Sequence, residues 1–177
     1  MKWRTMLTGM AASVMLILGT PGSASAATVT QSDRVGDAKA RFDIVRITYA
    51  NNSTAFSYRM KLRDITRRNG TLVFPKLLVS GTWSGPFYQV TSGARRDGTR
   101  FHQLVYNSAT EYRRVRCPGM TGSVSFSTDI VTARVPQACL GRLGHRSYRA
   151  IGYAATPGMS DAGDIAAARW VNYGATQ

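Results

Sequence analysis

The sequence predicts an all-β protein: an antiparallel β-sandwich or jelly roll of about nine strands, held by one disulfide. Short stretches in which apolar and polar residues alternate recur along the chain, with turn residues roughly every 8–12 positions. No window shows a sustained helical repeat of apolar residues flanked by helix caps. The chain also has only two cysteines, which can pair in one way.

The first 26 residues have the features of a secretory signal. Lys2 and Arg4 give a positive start, and residues 6–18 are mostly apolar. The small residues that signal peptidase needs before its cut follow at Ala24-Ser25-Ala26. We expect cleavage there, which leaves residues 27–177 as a single secreted, extracellular domain. No later apolar run is long enough to span a bilayer, so we expect no membrane span in the mature chain.

The clearest predicted strand covers residues 55–63. Apolar residues at every second position alternate with polar residues that are mostly cationic, which predicts one apolar and one cationic face. Residues 42–49 come just before it, and Asn51-Asn52-Ser53 between them is typical of a turn. These two strands form a predicted hairpin. The apolar positions are Phe56, Tyr58, Met60 and Leu62.

The other predicted elements are less regular. Residues 27–32 are small and polar, and we expect them to form a frayed start. No internal repeat and no low-complexity linker divides the chain, which favours one domain. Further strands are predicted at residues 71–79, 87–91, 100–106, 112–116, 124–135, 148–154 and 168–173.

Both cysteines, Cys117 and Cys139, follow the predicted signal. An exported protein meets an oxidising environment, so we expect a Cys117–Cys139 disulfide. Pro118-Gly119 directly follows the first cysteine and indicates an exposed turn, which favours a disulfide over two buried thiols. With no third cysteine, the chain has neither a thiolate zinc site nor a redox Cys-x-x-Cys motif.

The mature chain is strongly basic. Without Lys2 and Arg4, 21 basic residues remain against 9 acidic ones, a net charge of +12. Nearly all of the basic residues are arginines, whose guanidinium groups bind carboxylates and phosphates through paired hydrogen bonds. Such a surface favours polyanionic ligands. The alternative explanations are the codon usage of a GC-rich genome and a charged surface that keeps a secreted protein soluble.

Three aspartates concentrate at the entrance to the first long predicted strand. Asp33, Asp37 and Asp43 lie within eleven residues of a chain that has only 9 acids. Calcium prefers several carboxylate and carbonyl oxygens, and Gly36 lets the loop curl so that they converge. The spacing differs from the EF-hand loop, so the alternative is that these side chains cap turns and pair with arginines. Residues 161–164 repeat the pattern and would add ligands if the two ends of the chain meet.

The opening pattern resembles a group of secreted proteins. Asp33-Arg34-Val35-Gly36-Asp37-Ala38, followed by Asp43-Ile44 and an alternating strand, is similar to the start of uncharacterised small secreted β-sandwich proteins of actinobacteria. The stretch 135–141, with Cys139 after a late strand, is also similar to that group. The resemblance covers most of the mature chain and implies a β-sandwich. It implies no activity and no catalytic residues.

The sequence contains little that indicates catalysis. It has no Gly-x-Ser-x-Gly nucleophile motif, and Glu111 is its only glutamate. The two histidines are His102, inside a predicted strand, and His145, in a basic loop, and their spacing does not suit zinc. Catalysis stays open from the sequence, with a non-catalytic protein as the favoured interpretation. Calcium is the one cofactor that a pattern indicates.

Binding has more support in the residue pattern. Trp83 lies in the glycine- and serine-rich stretch 80–86, where it is a candidate for stacking on a sugar or base. The alternative is that the aromatic rings fill the sandwich core. Arginine clusters with interleaved aromatic residues are candidates for holding an anionic cell-wall polymer or polysaccharide, whereas no motif supports nucleic acid as a partner. The candidate ligand-binding residues are Trp83, Arg113, Arg114, Arg116, Arg142, His145 and Arg146.

The leading hypothesis is a secreted, non-catalytic domain that binds an extracellular or cell-wall ligand, whose anionic character is expected from the charge. One alternative is a small secreted hydrolase with an unrecognised site, and another is a protein-interaction or inhibitor module. An arginine-lined concave surface favours the first, a deep pocket with converging His and Asp the second, and a flat apolar face the third. The sequence indicates no oligomeric state.

Overall fold

The computed structural model confirms the all-β class. It describes residues 27–65, 72–73, 76–78, 85–95, 97–143, 147–155, 164–166 and 169–173. In this part of the chain the strands form two antiparallel sheets that pack together, and no α-helix is present. The predicted signal at residues 1–26 lies outside the described residues, as do Trp83, His145, Arg146 and the side chain of Arg142.

Fourteen strands are assigned within the described residues, and nine of them have four residues or more. A 3-10 segment, Gln137–Leu143, follows the tenth strand. Among the residues that the structure describes, no helix has the length and apolar character needed to cross a bilayer. The strands are β1 (Ala27–Ser32), β2 (Ile44–Asn51), β3 (Ala55–Leu62), β4 (Leu72–Val73), β5 (Lys76–Leu78), β6 (Phe87–Ala94), β7 (Arg100–Asn107), β8 (Tyr112–Val115), β9 (Thr121–Ser125), β10 (Ile130–Pro136), β11 (Tyr148–Ile151), β12 (Tyr153–Ala155), β13 (Asp164–Ile165) and β14 (Arg169–Val171).

The first sheet has the strand order β1-β2-β3-β10-β9. The predicted hairpin of β2 and β3 is confirmed, with Tyr49 opposite Tyr58. In its turn, the Asn52 side chain accepts hydrogen bonds from the Thr54 and Ala55 amides, which satisfies backbone donors that have no ladder partner. The predicted alternation of β3 is confirmed too, because its apolar positions are buried and the polar positions between them are half-buried or exposed.

The outer surface of this sheet is polar and cationic. Hydroxyl groups on neighbouring strands meet there: Thr30 Oγ1 lies 3.0 Å from Thr48 Oγ1, and Ser123 Oγ lies 2.7 Å from Thr132 Oγ1. Since residues directly opposite in an antiparallel pair share a face, the register places four cations on this surface. We call them the cationic face: Arg46, Arg59, Lys61 and Arg134.

The second sheet has the strand order β13-β12-β4-β6-β5-β11-β14, and β7 pairs with β6 and then with β8. It packs on the first sheet through a core whose largest fully buried side chains include Tyr49, Phe56 and Tyr148. The rings of Phe56 and Tyr148 meet edge-on, with centroids 6.2 Å apart. Between β11 and β12 the backbone approaches the other sheet so closely that a β-carbon at Gly152 would lie 2.9 Å from Ile47 Cδ1. Only glycine fits there without displacing a core side chain.

The N-terminal segment differs from the prediction. Residues 27–32 do not fray but form β1, which pairs with β2 from Ala27↔Asn51 to Ser32↔Arg46. Threonine and valine alternate in this segment and suit an extended edge strand that is exposed on one side. The small, polar composition correctly indicated that this segment is largely exposed, but the prediction that it frays was wrong.

Residues 124–135 also differ from the prediction. They form two strands, β9 and β10, joined by a turn in which Asp129 has a φ of 52°. Aspartate tolerates this left-handed conformation better than most residues. The Asp129 carboxylate holds the turn against β3, because it pairs with Lys61 Nζ at 3.1 Å and accepts the Ile65 N–H at 2.8 Å.

Candidate ligand and cation sites

A pocket of about 400 Å³ opens where β8 separates from β7. The ladder between these strands runs from Asn107↔Tyr112 to Leu104↔Val115, and β7 continues beyond it without β8 as a partner. The chain that leaves β8 forms the opposite wall on its way to β9 in the other sheet. We call this cavity the arginine pocket, and its lining comprises residues 102–104, 114–117 and Met120.

The predicted disulfide between Cys117 and Cys139 is confirmed, and it fixes one wall of the arginine pocket. Cys117 lines the pocket, whereas Cys139 belongs to the 3-10 segment that follows β10. The bond closes a loop with a sequence separation of 22 residues. In the chain-entropy description, a loop of this length stabilises the folded state by about 3 kcal/mol. The pocket wall is thus tethered covalently to the end of the first sheet.

The lining of the arginine pocket is cationic at its rim and apolar within. His102, Arg114 and Arg116 are exposed, and no acidic side chain is among the lining residues. Val115 on β8 is half-buried and supplies apolar surface, whereas Leu104, its partner on β7, is fully buried. Guanidinium groups without a carboxylate beside them attract anions, and the apolar surface can contact the carbon skeleton of a ligand.

Arg113 is placed differently from its neighbours in the sequence. Successive residues of a strand face opposite sides, so Arg113 points away from the side that Arg114 occupies. Its Nε lies 2.6 Å from Glu111 Oε1, and its guanidinium carbon lies 5.3 Å from the centre of the Tyr106 ring. Arg113 does not line the arginine pocket. The structure therefore divides this predicted arginine cluster. Arg114 and Arg116 line the pocket, whereas Arg113 pairs with Glu111 on the other side of β8.

A second charged region is formed by aspartates from distant parts of the chain. One carboxylate oxygen each of Asp37, Asp43 and Asp164 lies within 4.8 Å of the other two, and we call these three residues the aspartate cluster. Asp164 begins β13 and belongs to the repeated stretch 161–164, so the two ends of the chain do meet here. Asp33 lies beside the cluster, and its charge acts on Asp164. Asp161 is outside the described residues.

The loop before β2 curls around Asp43, as the sequence predicted. Gly36 has a φ of +95°, and its N–H donates to Asp43 Oδ2 at 2.8 Å. Arg63 Nη1 lies 3.1 Å from the same oxygen. The Ile44 N–H donates to Asp164 Oδ2 at 2.7 Å, which ties the start of β2 to β13. Glycine is needed in the loop because other residues avoid this positive φ.

The aspartate cluster holds negative charge in a desolvated position. Burial raises the pKa of Asp164, and the charges of Asp33 and Asp37 raise it further. Burial likewise raises the pKa of Asp33, with contributions from Asp37 and Asp43. The Asp43 side chain is 0% exposed, and its Oδ1 has no hydrogen-bond partner among the described residues. Like charges and burial both disfavour ionised carboxylates, and positive charge nearby, such as that of Arg63, relieves this cost.

The sequence indicated part of this cluster. It singled out Asp33, Asp37 and Asp43, and the structure brings the last two together while Asp33 stands next to them. The third member, Asp164, was identified only through the repeated aspartate pattern near the C-terminus. The sequence predicts His102 inside a strand, and nothing in its context indicates that it borders a pocket with Arg114 and Arg116.

No known protein-family model matches the chain, and a search of the curated proteins finds no match. The resemblance to small secreted actinobacterial proteins therefore stays a prediction.

Proposed function

We propose that the mature protein is a secreted, non-catalytic domain that binds an anionic extracellular or cell-wall ligand in the arginine pocket. The observation that supports this most directly is the composition of the lining. Arg114, Arg116 and His102 surround the opening, and the lining contains no carboxylate. A concave, arginine-lined surface is the feature that distinguishes an anion-binding domain from a hydrolase or a flat protein-docking module.

The size of the pocket favours one charged unit of a larger ligand. A volume of about 400 Å³ lies at the lower end of the range for small-molecule sites, roughly 300–1,000 Å³. Such a pocket accommodates one sugar or polyol with its phosphate or carboxylate. The two guanidiniums bind the anionic group, and Val115, with Met120 beside it, contacts the carbon skeleton.

The disulfide supports an extracellular location for this activity. Disulfides persist in oxidising compartments, and this one holds a wall of the pocket in place. A pocket wall that is already rigid in the free protein loses little conformational entropy when the ligand binds. The secretory signal predicted at residues 1–26 is consistent with the same location.

Inorganic polyphosphate is a suitable probe, because it presents repeated phosphates without any base or sugar. The test compares Arg114→Gln/Arg116→Gln with a charge-matched control, Arg59→Gln/Arg134→Gln, which removes the same charge from the cationic face. The two control residues line a separate depression of about 280 Å³ on that face. Equilibrium titration at several salt concentrations gives both the affinity and its salt dependence.

We expect the pocket variant to bind polyphosphate at least roughly tenfold more weakly, because it loses two charge-assisted contacts. Its plot of log affinity against log salt should also be flatter by about one to two units. The control should keep most of the wild-type affinity. Equal losses in both variants would show that binding follows net charge and not the pocket. A wild-type affinity that does not change with salt would show that the arginines serve solubility only.

A further inference from the structure

The aspartate cluster is a separate feature of the molecule that anion binding does not explain. It gathers three of the nine acidic residues of a chain whose formal net charge is +14. In so basic a protein, pairing every acidic residue with an arginine at the surface would be simple. Instead, Asp43 is 0% exposed and Asp164 is buried, and their carboxylates face each other and Asp37.

The hydrogen bonds of the cluster leave one carboxylate oxygen without a partner. Asp43 Oδ2 accepts the Gly36 N–H and pairs with Arg63, whereas its Oδ1 is buried and has no partner among the described residues. Asp33 Oδ2, beside the cluster, is also buried and lacks a hydrogen-bond partner in the same part of the chain. A buried, ionised oxygen without a donor is costly, and a bound cation removes that cost.

Arg63 does not fully provide the positive charge that the cluster needs. Its guanidinium contacts Asp43 Oδ2 and its side chain is 41% exposed, so it approaches the cluster from the solvent side. Within the part of the chain that the structure describes, its contact with Asp43 offsets one of the three negative charges, and the charge of Asp33 acts in addition. A divalent cation at the cluster would offset the charge that this contact leaves.

We infer that Asp37, Asp43 and Asp164 form a site for a calcium ion, which joins the loop before β2 to β13. Calcium takes six to eight oxygen ligands in flexible geometry and accepts carboxylates together with loop carbonyls and water. The cluster supplies three carboxylates, and water can complete the coordination shell. Magnesium fits less well because it demands a near-ideal octahedron and retains its own water. This site does not depend on the proposed anion binding.

The ion has a structural consequence because its ligands are far apart in sequence. The Ile44 N–H bond to Asp164 already spans 120 residues. A cation held by Asp37, Asp43 and Asp164 adds a second link between the same two segments. Calcium that binds only the folded state stabilises it in proportion to the logarithm of its concentration above the dissociation constant.

The test is thermal unfolding of the purified, oxidised protein in calcium chloride and in chelator, at matched ionic strength. The wild-type melting temperature should rise by roughly 5–10 °C when calcium exceeds the dissociation constant a hundredfold. Titration calorimetry with calcium chloride should show one site per chain. Asp37→Asn is the main variant, since it removes one ligand charge from an exposed position and keeps the side-chain shape. Asp97→Asn is the matched control, because Asp97 accepts the Thr99 N–H in a separate exposed turn.

Two opposite effects are expected from Asp37→Asn. In chelator it should melt at a higher temperature than the wild type, because Asp37 repels Asp33 and Asp164. In calcium it should melt at a lower temperature, because it loses most of the response. Asp97→Asn should respond like the wild type. The inference fails if the wild type melts alike in calcium and chelator, if sodium chloride gives the same shift, or if Asp37→Asn keeps the full response.

Discussion

The arginine pocket draws both of its arginines from β8 and the position directly after it, whereas the aspartate cluster draws its residues from segments far apart in the chain. In the pocket, Arg114 and Arg116 are exposed, and each can be hydrated when no ligand is present. In the cluster, Asp43 is completely buried and depends on its neighbours for compensation. Exposed charges are inexpensive to keep, and therefore their presence alone says little about function. Buried charges of one sign are costly, and therefore their clustering indicates a counterion.

The difference also concerns what each region does for the fold. The pocket depends on the disulfide, which holds its wall, and Cys117 and Met120 of that wall also pack against or within the hydrophobic core. The cluster lies where the loop before β2 meets β13, so its electrostatics act on the stability of the whole domain. Perturbations can therefore separate the two regions.

Removing the disulfide should have the largest effect and should act on the arginine pocket. We expect Cys117→Ser/Cys139→Ser to lower the free energy of unfolding by about 3 kcal/mol. Polyphosphate affinity should fall as well, because the pocket wall is no longer tethered. The calcium response should persist in the folded variant. Denaturant unfolding and the two binding titrations test this, and loss of calcium binding together with anion binding would show that the regions are not independent.

A substitution at Gly36 should act on the aspartate cluster alone. Gly36→Ala forces a residue with a β-carbon to a φ of +95° and should cost about 1–2 kcal/mol. Gly98→Ala is the control, since Gly98 has a similar φ of +85° in the turn before β7, and no atom of the described residues crowds its β-carbon position. Both variants should lose stability, measured by urea unfolding in chelator. Only Gly36→Ala should also bind calcium more weakly. A similar calcium affinity in both variants would show that the loop around Gly36 does not contribute to the calcium site.

The smallest expected effect is a pH dependence in chelator. Because the pKa values of Asp33 and Asp164 are raised, the folded state binds these protons more tightly than the unfolded state. Protonation of these two aspartates therefore favours the folded state. This stabilisation is fully present below the unfolded pKa, near 3.9, and is lost as pH rises through the folded pKa. Asp37→Asn relieves part of the same repulsion, beside Asp43, which pairs with Arg63.

The advantage of Asp37→Asn over the wild type in chelator should thus shrink as the pH falls from 7 toward about 4. Urea unfolding at several pH values in calcium-free buffer measures it. An advantage that stays constant with pH would mean that the aspartates do not repel each other in the folded protein.

Local patterns were sufficient to predict the fold class, the β2–β3 hairpin and the disulfide. Alternation in β3 reports directly on burial, because side chains of a strand point to opposite faces. The sequence did not predict the turn at Asp129, because the alternation of Val124, Phe126 and Ile130 with polar residues continues through it. Only the polar residues around Asp129 indicated that the strand is interrupted there. β1 was missed because edge pairing with β2 orders a segment that has little apolar surface of its own.

The two candidate sites were predicted to different extents for the same physical reason. Asp33, Asp37 and Asp43 are close in sequence, so their proximity could be expected from loop geometry. The addition of Asp164 depends on β13 reaching the start of β2, which is decided by the packing of both sheets. The pocket depends on where β8 leaves β7, and no residue pattern in 112–116 marks that point.

The link between Ile44 and Asp164 also bears on when the domain can finish folding. A ribosome completes the loop around Asp43 early, but it adds the partner residue only after 120 further positions. Until then the start of β2 lacks its hydrogen-bond partner Asp164. The contact between the two segments can form only when a loop that includes most of the chain has closed. The topology therefore delays closure of this region until residue 164 has been synthesised.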